Sequence, residues 1–282
     1  MSLAEEAAQN NLERVGQRPP LREYLAEVWR RRELTTSMAK YRIQASNEEN
    51  RLGMAWVALK PTMNALIYGL VFGVLQGDRR PENVVAYIVI GVFLFEFFAS
   101  SFSHGADSIM RNKALVQTLA FPRITLPLGA VIQQLMNLVP ILAVMALIVL
   151  LTGNPISWSW LQMVPLVFLM TMFNTGVALI AARLTVHLTD IKEIIPIITR
   201  VLFYTSGVFF QVDRILGKFP WLVTFFDYHP LYEFLSLARG AMLSDYAVDP
   251  VFWIYASIWS VSLLVIGVVF FWKAEERYGR IY

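Results

Sequence analysis

The chain has 282 residues, of which 56% are hydrophobic and only 16% are charged, and its mean hydropathy is +0.51. Soluble domains carry charge on about a quarter of their residues, so this composition indicates an integral membrane protein. Cysteine is absent, which excludes disulfides, thiol catalysis and cysteine-ligated metal sites. The three histidines lie far apart in the sequence, so we expect no metal site, and the net charge of +3 gives no indication of a nucleic acid partner.

The first 53 residues are hydrophilic, with nine basic and eight acidic residues, and lack the apolar core of a cleavable signal peptide. We expect residues 1–20 to be a disordered cytoplasmic lead. Residues 21–53 are predicted to contain an amphipathic helix on the membrane surface, because apolar residues recur at helical spacing: Leu21, Tyr24, Leu25, Val28 and Trp29. The interfacial Trp29 and the arginines after it suit lipid headgroups: Arg30, Arg31 and Arg32. A soluble helix packed on a partner is the alternative.

Residues 54–282 form the predicted permease domain, with six apolar stretches that we interpret as membrane spans: about 54–76, 84–103, 125–151, 160–182, 194–210 and 251–272. Lysine and arginine are retained on the cytoplasmic side of a membrane. With the N-terminus inside, nineteen of the 24 basic residues lie on that side. The sequence therefore predicts an all-α integral membrane protein with six transmembrane helices and both termini in the cytoplasm.

Residues 211–250 are rich in aromatic side chains but contain too many charges to span a membrane. We expect two short amphipathic helices that dip into the outer leaflet as a re-entrant element. In the second helix, which begins at Pro230, Glu233, Ser236 and Arg239 are predicted to lie away from the apolar face. An ordinary extracellular loop is the alternative.

The stretch from Asp107 to Phe121 has a helical pattern, with Asp107 as the predicted N-cap and Pro122 as the stop. A short cytoplasmic helix tied to two spans could be pushed by a soluble motor. The chain itself has no Gly-x-x-x-x-Gly-Lys-Ser/Thr motif for nucleotide phosphates and no Gly-x-Ser-x-Gly nucleophile motif. We therefore expect no catalytic activity and no bound cofactor in this chain.

Glu96 lies inside the second predicted span, where an ionisable group normally faces a cavity or a partner. Arg200 in the fifth span is the candidate partner. Two interpretations remain open, a polar lining of a transport path and a structural ion pair between helices.

Three groups of motifs resemble the membrane subunits of ABC transporters that export polysaccharides, namely O-antigen, capsule and teichoic acid permeases. The first group is Trp29-Arg30-Arg31-Arg32-Glu33-Leu34, Leu52-Gly53 with Trp56, Lys60-Pro61 and Val71-Phe72-Gly73. The second is Asn112, Leu115 and Val116 with Phe121-Pro122-Arg123 and Leu126-Pro127. The third is the Asp190 region, Pro230-Leu231 and Ala238-Arg239-Gly240. The resemblance covers about residues 25–275. The sequence as a whole is similar to actinobacterial exporters of a lipid-linked galactan.

The resemblance implies a homodimer with two ATPase subunits, which would bind ATP and Mg, in the bacterial cytoplasmic membrane. A lipid-linked polysaccharide would pass between the two copies. It implies a coupling helix that contacts the ATPase, formed by Asn112, Leu115, Val116, Phe121 and Arg123, and a second cytoplasmic loop at Asp190. It also implies extracellular gate helices that contain Trp221, Tyr228, Pro230, Glu233 and Arg239. Aromatic rings suit a sugar path, and the expected lining is Phe95, Tyr204, Trp221 and Tyr228 beside Glu96 and Arg200.

Two positions depart from the family pattern. His229 stands where the family often has asparagine before the gate proline, so a different helix cap is expected. Gln117 and Thr118 stand where a basic residue is frequent, so the ATPase contact is expected to be less electrostatic.

Two other functions remain open at this point. One is a permease for drugs, antibiotics or lipids with the same architecture, against which the amphipathic helix before the first span argues. The other is a secondary transporter or a scaffold, which would be expected to show inverted repeats or several buried acids.

Overall fold

The computed structural model of the chain describes residues 18–48, 53, 55–75, 83–119 and 121–278. The regular elements of these residues are helices, with one 3₁₀ turn at Trp158–Gln162. In chain order the α-helices are α1 (Leu21–Arg30), α2 (Arg32–Glu48), α3 (Ala55–Leu75), α4 (Val84–Arg111), α5 (Lys113–Thr118), α6 (Thr125–Leu151), α7 (Met163–His187), α8 (Ile191–Thr205), α9 (Val212–Leu216), α10 (Pro220–Asp227), α11 (Pro230–Met242), α12 (Val251–Trp272) and α13 (Glu275–Tyr278). The all-α membrane fold is confirmed.

Five helices of the described chain are long and apolar enough to cross a membrane, namely α3, α4, α6, α7 together with the 3₁₀ turn before it, and α12. The predicted fifth span at 194–210 is not among them. Helix α8 has 15 residues, about 22 Å at 1.5 Å per residue, and it ends at Thr205. Gly207 has a φ of +66°, a conformation that interrupts a right-handed helix. The six-span count therefore is not confirmed.

The second span continues further than expected. Helix α4 runs without a break to Arg111, so Asp107 lies inside it and does not cap a separate helix. The predicted cytoplasmic helix 107–121 is thus the end of α4, a break at Asn112 and the six-residue α5. Asn112 donates its side-chain amide to the Ser108 carbonyl at 2.6 Å, which satisfies one of the carbonyl groups left free at the helix end.

Helix α4 is the centre of the fold. It packs against α3, α6, α7, α8 and α11, and 72% of its most apolar stretch is buried, against 11% for α3. The large core surrounds α4, and a second core lies at the opposite end from α9 to α11. This second core joins the first helix, the segment around α5 and the end of the chain: Tyr24, Ile109, Val116, Phe121, Ile124, Leu126, Leu179, Ala182, Phe271, Ala274 and Tyr278.

The N-terminal region forms two helices. Helix α1 packs inward through Tyr24, while Trp29 is 71% exposed. Helix α2 was not predicted as a separate helix, and it packs on α6 through the buried Thr35 and Ala39. Of the predicted disordered lead at 1–20, residues 1–17 lie outside the described residues. Arg18, at its end, is held against the C-terminal segment by a bond from its amide to Glu276.

Residues 211–250 contain three short helices, α9 to α11, instead of two. Glu233, Ser236 and Arg239, which were predicted to lie away from the apolar face, are nevertheless buried, with exposed fractions of 0%, 1% and 0%. Helix α11 is covered on several sides by α4, α7, α10, α12 and the 3₁₀ turn, so its polar positions are buried as well as its apolar ones.

Candidate functional site

A cavity of about 440 Å³ lies between α3, α4 and α8, and it is the main candidate for a transport path. The four residues predicted from the second and fifth spans border it: Phe95, Glu96, Arg200 and Tyr204. Hydroxyl, amide and imidazole groups complete its polar lining: Asn64, Tyr68, Ser100, Ser103, His104 and Thr199. Residues that are about a hundred positions apart in the sequence therefore share one wall.

Glu96 has a different partner from the one expected. Its Oε1 accepts a hydrogen bond from the Ser100 hydroxyl at 3.0 Å, one helical turn away. Among the ion pairs of the described residues there is none between Glu96 and Arg200. Arg200 is exposed at the cavity edge, so the structural ion-pair interpretation is wrong for this structure.

A second cavity of about 310 Å³ lies on the other side of α3, between α3, α4 and α6. Glu96, Ser100 and His104 border both cavities, because residues four apart share one face of a helix. We call these three side chains the polar ridge. The wall opposite the ridge adds Trp56, Lys60, Gln134 and Asn137.

The polar ridge is hydrogen-bonded to α6. His104 Nδ1 lies 3.0 Å from Gln134 Nε2, and the Asn137 amide donates to Gln134 Oε1 at 3.3 Å. Neutral amides, hydroxyls and an imidazole can exchange hydrogen bonds with sugar hydroxyls.

The predicted aromatic rings do not form one set. Phe95 is only 3% exposed, because it packs on Phe203 with ring centroids 4.8 Å apart, while Tyr204 is 47% exposed. Trp221 and Tyr228 lie on or beside α10, away from this cavity. Tyr228 borders a separate outer cavity of about 330 Å³ that also contains three aspartates, Asp213, Asp227 and Asp249.

Arg239 forms hydrogen bonds at the end of the fold that contains α9 to α11. We call Arg239, Tyr87 and residues 207–210 the outer knot, because this end is the predicted extracellular side. Arg239 Nη2 donates to the Val208 carbonyl at 3.0 Å and Nε to the Tyr87 carbonyl at 3.3 Å. Its guanidinium lies 3.5 Å from the centroid of the Tyr87 ring. The Tyr87 hydroxyl donates to the Phe210 carbonyl at 2.8 Å. The backbone groups exposed by the end of α8 are thus satisfied from α4 and α11.

The caps and charges of α11 follow from burial. His229 accepts a bond from the Tyr232 amide through Nδ1 at 3.3 Å, so an imidazole takes the capping role as expected, and burial lowers its pKa. Both oxygens of Glu233 have no hydrogen-bond partner. Burial, with a smaller effect of the Asp227 carboxylate, raises the pKa of Glu233 to about 8. Pro230 begins the helix, as its fixed φ predicts.

The residues expected to contact an ATPase are mostly packed inside the chain. Val116 and Phe121 are 3% and 7% exposed in the second core, which we call the cytoplasmic core because it lies on the predicted cytoplasmic side. Leu115 is half-buried. Arg123 binds the Glu275 carboxylate through both its backbone amide and its guanidinium. The surface here is formed instead by side chains around them, among them Ala114, Thr118 and Leu119.

The second cytoplasmic loop contacts this region. Asp190 is exposed just before α8, and two residues later Lys192 binds Asp107 of α4, with the two charged atoms 2.5 Å apart. Arg111 also pairs with Asp107 at 3.4 Å. The sequence reasoning missed Tyr24, Lys192 and Glu275 as contacts. No pattern in the sequence distinguishes Glu275 from the other charges of a short tail.

On the interface helix, Trp29 and Arg30 are exposed, and Arg31 pairs with Glu27 at 2.9 Å. The Arg32 guanidinium lies 5.3 Å from the Trp29 ring centroid. Within the described residues no group of three or more metal-ligating side chains occurs.

Comparison with known proteins identifies the family. The sequence model of the ABC-2 type transporter family matches residues 33–243. An O-antigen export system permease protein RfbA of Klebsiella pneumoniae is 25% identical over 83% of this chain and 89% of its own length. The RfbA permease of Myxococcus xanthus is 25% identical over 67% of this chain and 72% of its own length. The polysialic acid transport protein KpsM of Escherichia coli is 22% identical over 87% of this chain and 91% of its own length. With a match over most of its length, the chain belongs to the ABC-2 type transporter family.

Proposed function

We propose that the chain is the channel-forming membrane subunit of an exporter for a lipid-linked polysaccharide of the O-antigen, capsule or galactan type. The observation that carries this proposal is the polar ridge of α4, which borders two cavities inside an otherwise apolar fold. The relatives are O-antigen permeases and a polysialic acid transport protein. Their substrates favour polysaccharide export over the export of drugs or lipids.

A homodimer would close the channel. Helices α3 and α8 border the larger cavity and carry exposed apolar side chains: Leu66, Ile67, Leu70, Val74, Leu75, Ile197 and Val201. In a monomer this side of the cavity opens to lipid, where a hydrophilic polymer would be unfavourable. A second copy against the same face would cover these side chains and enclose the ridge, as a two-fold symmetric interface requires.

Two ATPase subunits would supply the energy, since the chain has no phosphate-binding loop of its own. ATP and Mg would be bound by those subunits. The surface around Leu119 and Asp190 would contact them. Displacement of α5 would reach the polar ridge through α4, because only Asn112 separates the two helices.

The substrate would reach the cavity from the cytoplasmic leaflet near α1. Arg30 is exposed there and suits a lipid phosphate. The outer knot and helices α10 and α11 would form the exit, with Trp221 and Tyr228 exposed for sugar contact. The proposal includes a location in a bacterial cytoplasmic membrane, with both termini in the cytoplasm.

The experiment is depletion of the chain in its own cell, with analysis of which lipid-linked glycan accumulates and on which membrane face. Accumulation on the cytoplasmic face is expected, and re-expression of the unaltered chain should clear it. Glu96→Ala should restore export poorly, because it removes the central acceptor of the ridge. Glu33→Ala, on the surface of α2, is the matched control. Normal glycan export in the depleted cells, with altered drug sensitivity or lipids instead, would refute the polysaccharide assignment.

A further inference from the structure

A buried carboxylate joins three separate parts of the chain at the cytoplasmic end. Glu275 is the first residue of α13 and is 3% exposed. Its Oε2 accepts a hydrogen bond from the Tyr24 hydroxyl of α1 at 2.7 Å. Its Oε1 accepts from the Arg123 backbone amide at 3.0 Å and lies 3.4 Å from Arg123 Nη1. Each partner belongs to a different segment from Glu275.

The connection is closed by a third bond. The Tyr24 hydroxyl, which donates to Glu275, accepts from the Ile124 amide at 3.2 Å. The segment after α5 is therefore bound to α1 and to α13 through consecutive backbone amides, those of Arg123 and Ile124. We call Tyr24, Glu275 and the amides of residues 123 and 124 the cytoplasmic joint.

Further contacts reinforce the same arrangement. The Trp272 indole donates to the Pro19 carbonyl at 2.9 Å, and the Arg18 guanidinium lies 4.1 Å from the Trp272 ring centroid. Tyr278 stacks on Phe271 with centroids 4.5 Å apart. The start of the described chain and its end thus hold each other immediately beside the joint.

An apolar side chain at this position would cost less to bury. Removing a carboxylate from water is unfavourable, and burial raises the pKa of Glu275, although the hydrogen bonds from Arg123 and Tyr24 oppose this. An apolar contact could hold the three segments together, but it would not fix their positions relative to one another, an arrangement that we call their register. Hydrogen bonds to two particular groups do fix it, because they are directional.

We propose that Glu275 is a positioning residue that makes the segment 121–124 and helix α1 move as one body during transport. A displacement imposed on α5 passes to residues 121–124 at once, and the joint transmits it to α1. Helix α1 is thereby displaced together with α5. Its displacement does not have to be transmitted through the membrane-spanning helices. The inference rests on the proposed function only in assigning the displacement of α5 to an ATPase.

The chain has no cysteine, so pairs of labels can be introduced without background. Ala26 of α1 and Ala114 of α5 are both exposed, and cysteines there would carry spin labels in the complex of this chain with its ATPase. Distances are measured without nucleotide and with ATP under non-hydrolysing conditions. In the unaltered joint we expect one narrow distance that is the same in both states.

Glu275→Ala should make the two distance distributions differ, and glycan transport should fall about tenfold while ATP hydrolysis stays nearly unchanged, as for a lost coupling between sites. Glu275→Gln keeps one acceptor oxygen and should rescue part of the effect. Glu33→Gln is the control, since Glu33 is an exposed carboxylate on α2 that is not part of the joint. Melting temperatures in detergent are recorded for each variant.

Three results would overturn the proposal. The first is a label distance that changes with nucleotide in the unaltered joint. The second is a Glu275→Ala complex with normal transport and unchanged distances. The third is a parallel loss of melting temperature, hydrolysis and transport, which would make the residue merely structural. If the unaltered complex moves no glycan, the proposed function fails, and the distance measurement alone still decides the role of the joint.

Discussion

The outer knot and the cytoplasmic joint both bury an ionisable side chain, but the buried charge has different hydrogen-bond partners in the two places. Arg239 donates to backbone carbonyls and covers an aromatic ring, with no acidic partner among the described ion pairs. Glu275 accepts from a tyrosine and from the backbone and guanidinium of one arginine.

The acceptors of Arg239 show what the outer knot does. The Val208 carbonyl lies just after the end of α8, so the guanidinium replaces a hydrogen bond that the backbone lost there, while the Tyr87 carbonyl lies in the first turn of α4. The partners of Glu275 lie in segments that are separate in the chain. The first arrangement stabilises the segment that follows α8, and the second connects the segments that we propose to move together. Removal of Arg239 should therefore mainly lower the stability of the protein. Removal of Glu275 should mainly affect the coordinated movement of the segments that it joins.

The largest effect on stability is expected for Arg239→Ala. The change leaves the Val208 and Tyr87 carbonyls without their donor and opens a cavity in the core, so about 4 kcal/mol of stability should be lost. Thermal unfolding in detergent measures this, with Lys218→Ala on the exposed outer surface as control. Equal melting temperatures for the two variants would show that the fold of residues 207–210 does not depend on Arg239.

The next largest effect distinguishes a side chain near α5 that is buried inside the chain from one that is expected to contact the ATPase. Phe121→Ala should cost about 3 kcal/mol, because the ring is buried in the cytoplasmic core. Leu119→Ala should leave the melting temperature unchanged, since this side chain is 55% exposed, and should weaken the stimulation of the ATPase by substrate. Melting curves and ATP hydrolysis of the reconstituted complex distinguish the two. A destabilised Leu119→Ala, or a normal Phe121→Ala, would contradict the placement of this segment.

Tyr24→Phe removes one hydroxyl from the cytoplasmic joint and keeps the ring. Loss of the bonds to Glu275 and Ile124 should cost about 1 kcal/mol and lower the amount of glycan moved per ATP. Tyr41→Phe is the matched control, because Tyr41 on α2 is 72% exposed. The same transport yield for both variants would argue against coordination through the joint.

The smallest effect is a pH dependence of stability from Glu275. Burial raises its pKa, while the hydrogen bonds and the charge of Arg123 and the hydrogen bond of Tyr24 oppose the rise. A raised carboxyl pKa contributes stability that is complete below the unfolded pKa of about 4.3 and is lost as the pH rises through the folded value. Tyr278, whose pKa is raised mainly by burial and also by Glu275, stays neutral in this range.

Melting temperatures at pH 5 and pH 7 test this dependence. The unaltered chain should lose more stability over the interval than Glu275→Gln does. Glu33→Gln, which removes an exposed carboxylate on α2, should behave like the unaltered chain. An identical pH dependence of all three proteins would show that Glu275 does not titrate differently on folding.

The sequence was sufficient to predict the elements that depend on local pattern. The apolar lengths of α3, α4, α6, α7 and α12 require a membrane, and their bounds agree with the predicted stretches to within a few residues, apart from the extension of α4. Because a carboxyl group is costly to place inside a membrane, Glu96 was predicted to face a cavity or a partner, and it borders two cavities. These features follow from composition and periodicity alone.

The remainder depends on contacts between distant residues. The burial of Glu233 and Arg239 could not be predicted, because it arises from helices that cover α11 on several sides. The end of α8 at Thr205 depends on Tyr87 and Arg239 as well as on Gly207. Burial of Phe121 requires α1 and α13, which lie at opposite ends of the chain.

The central claim is that a glycan passes along the polar ridge, and site-directed cross-linking tests it most directly. A single cysteine at Thr199, on the wall of the larger cavity, is compared with one at Leu147, which is 56% exposed on α6. A lipid-linked glycan with a thiol-reactive sugar is supplied to the complex with ATP. We expect ATP-dependent cross-linking at Thr199 and none at Leu147. Cross-linking at Leu147 alone, or at neither position while the glycan is exported, would contradict the account.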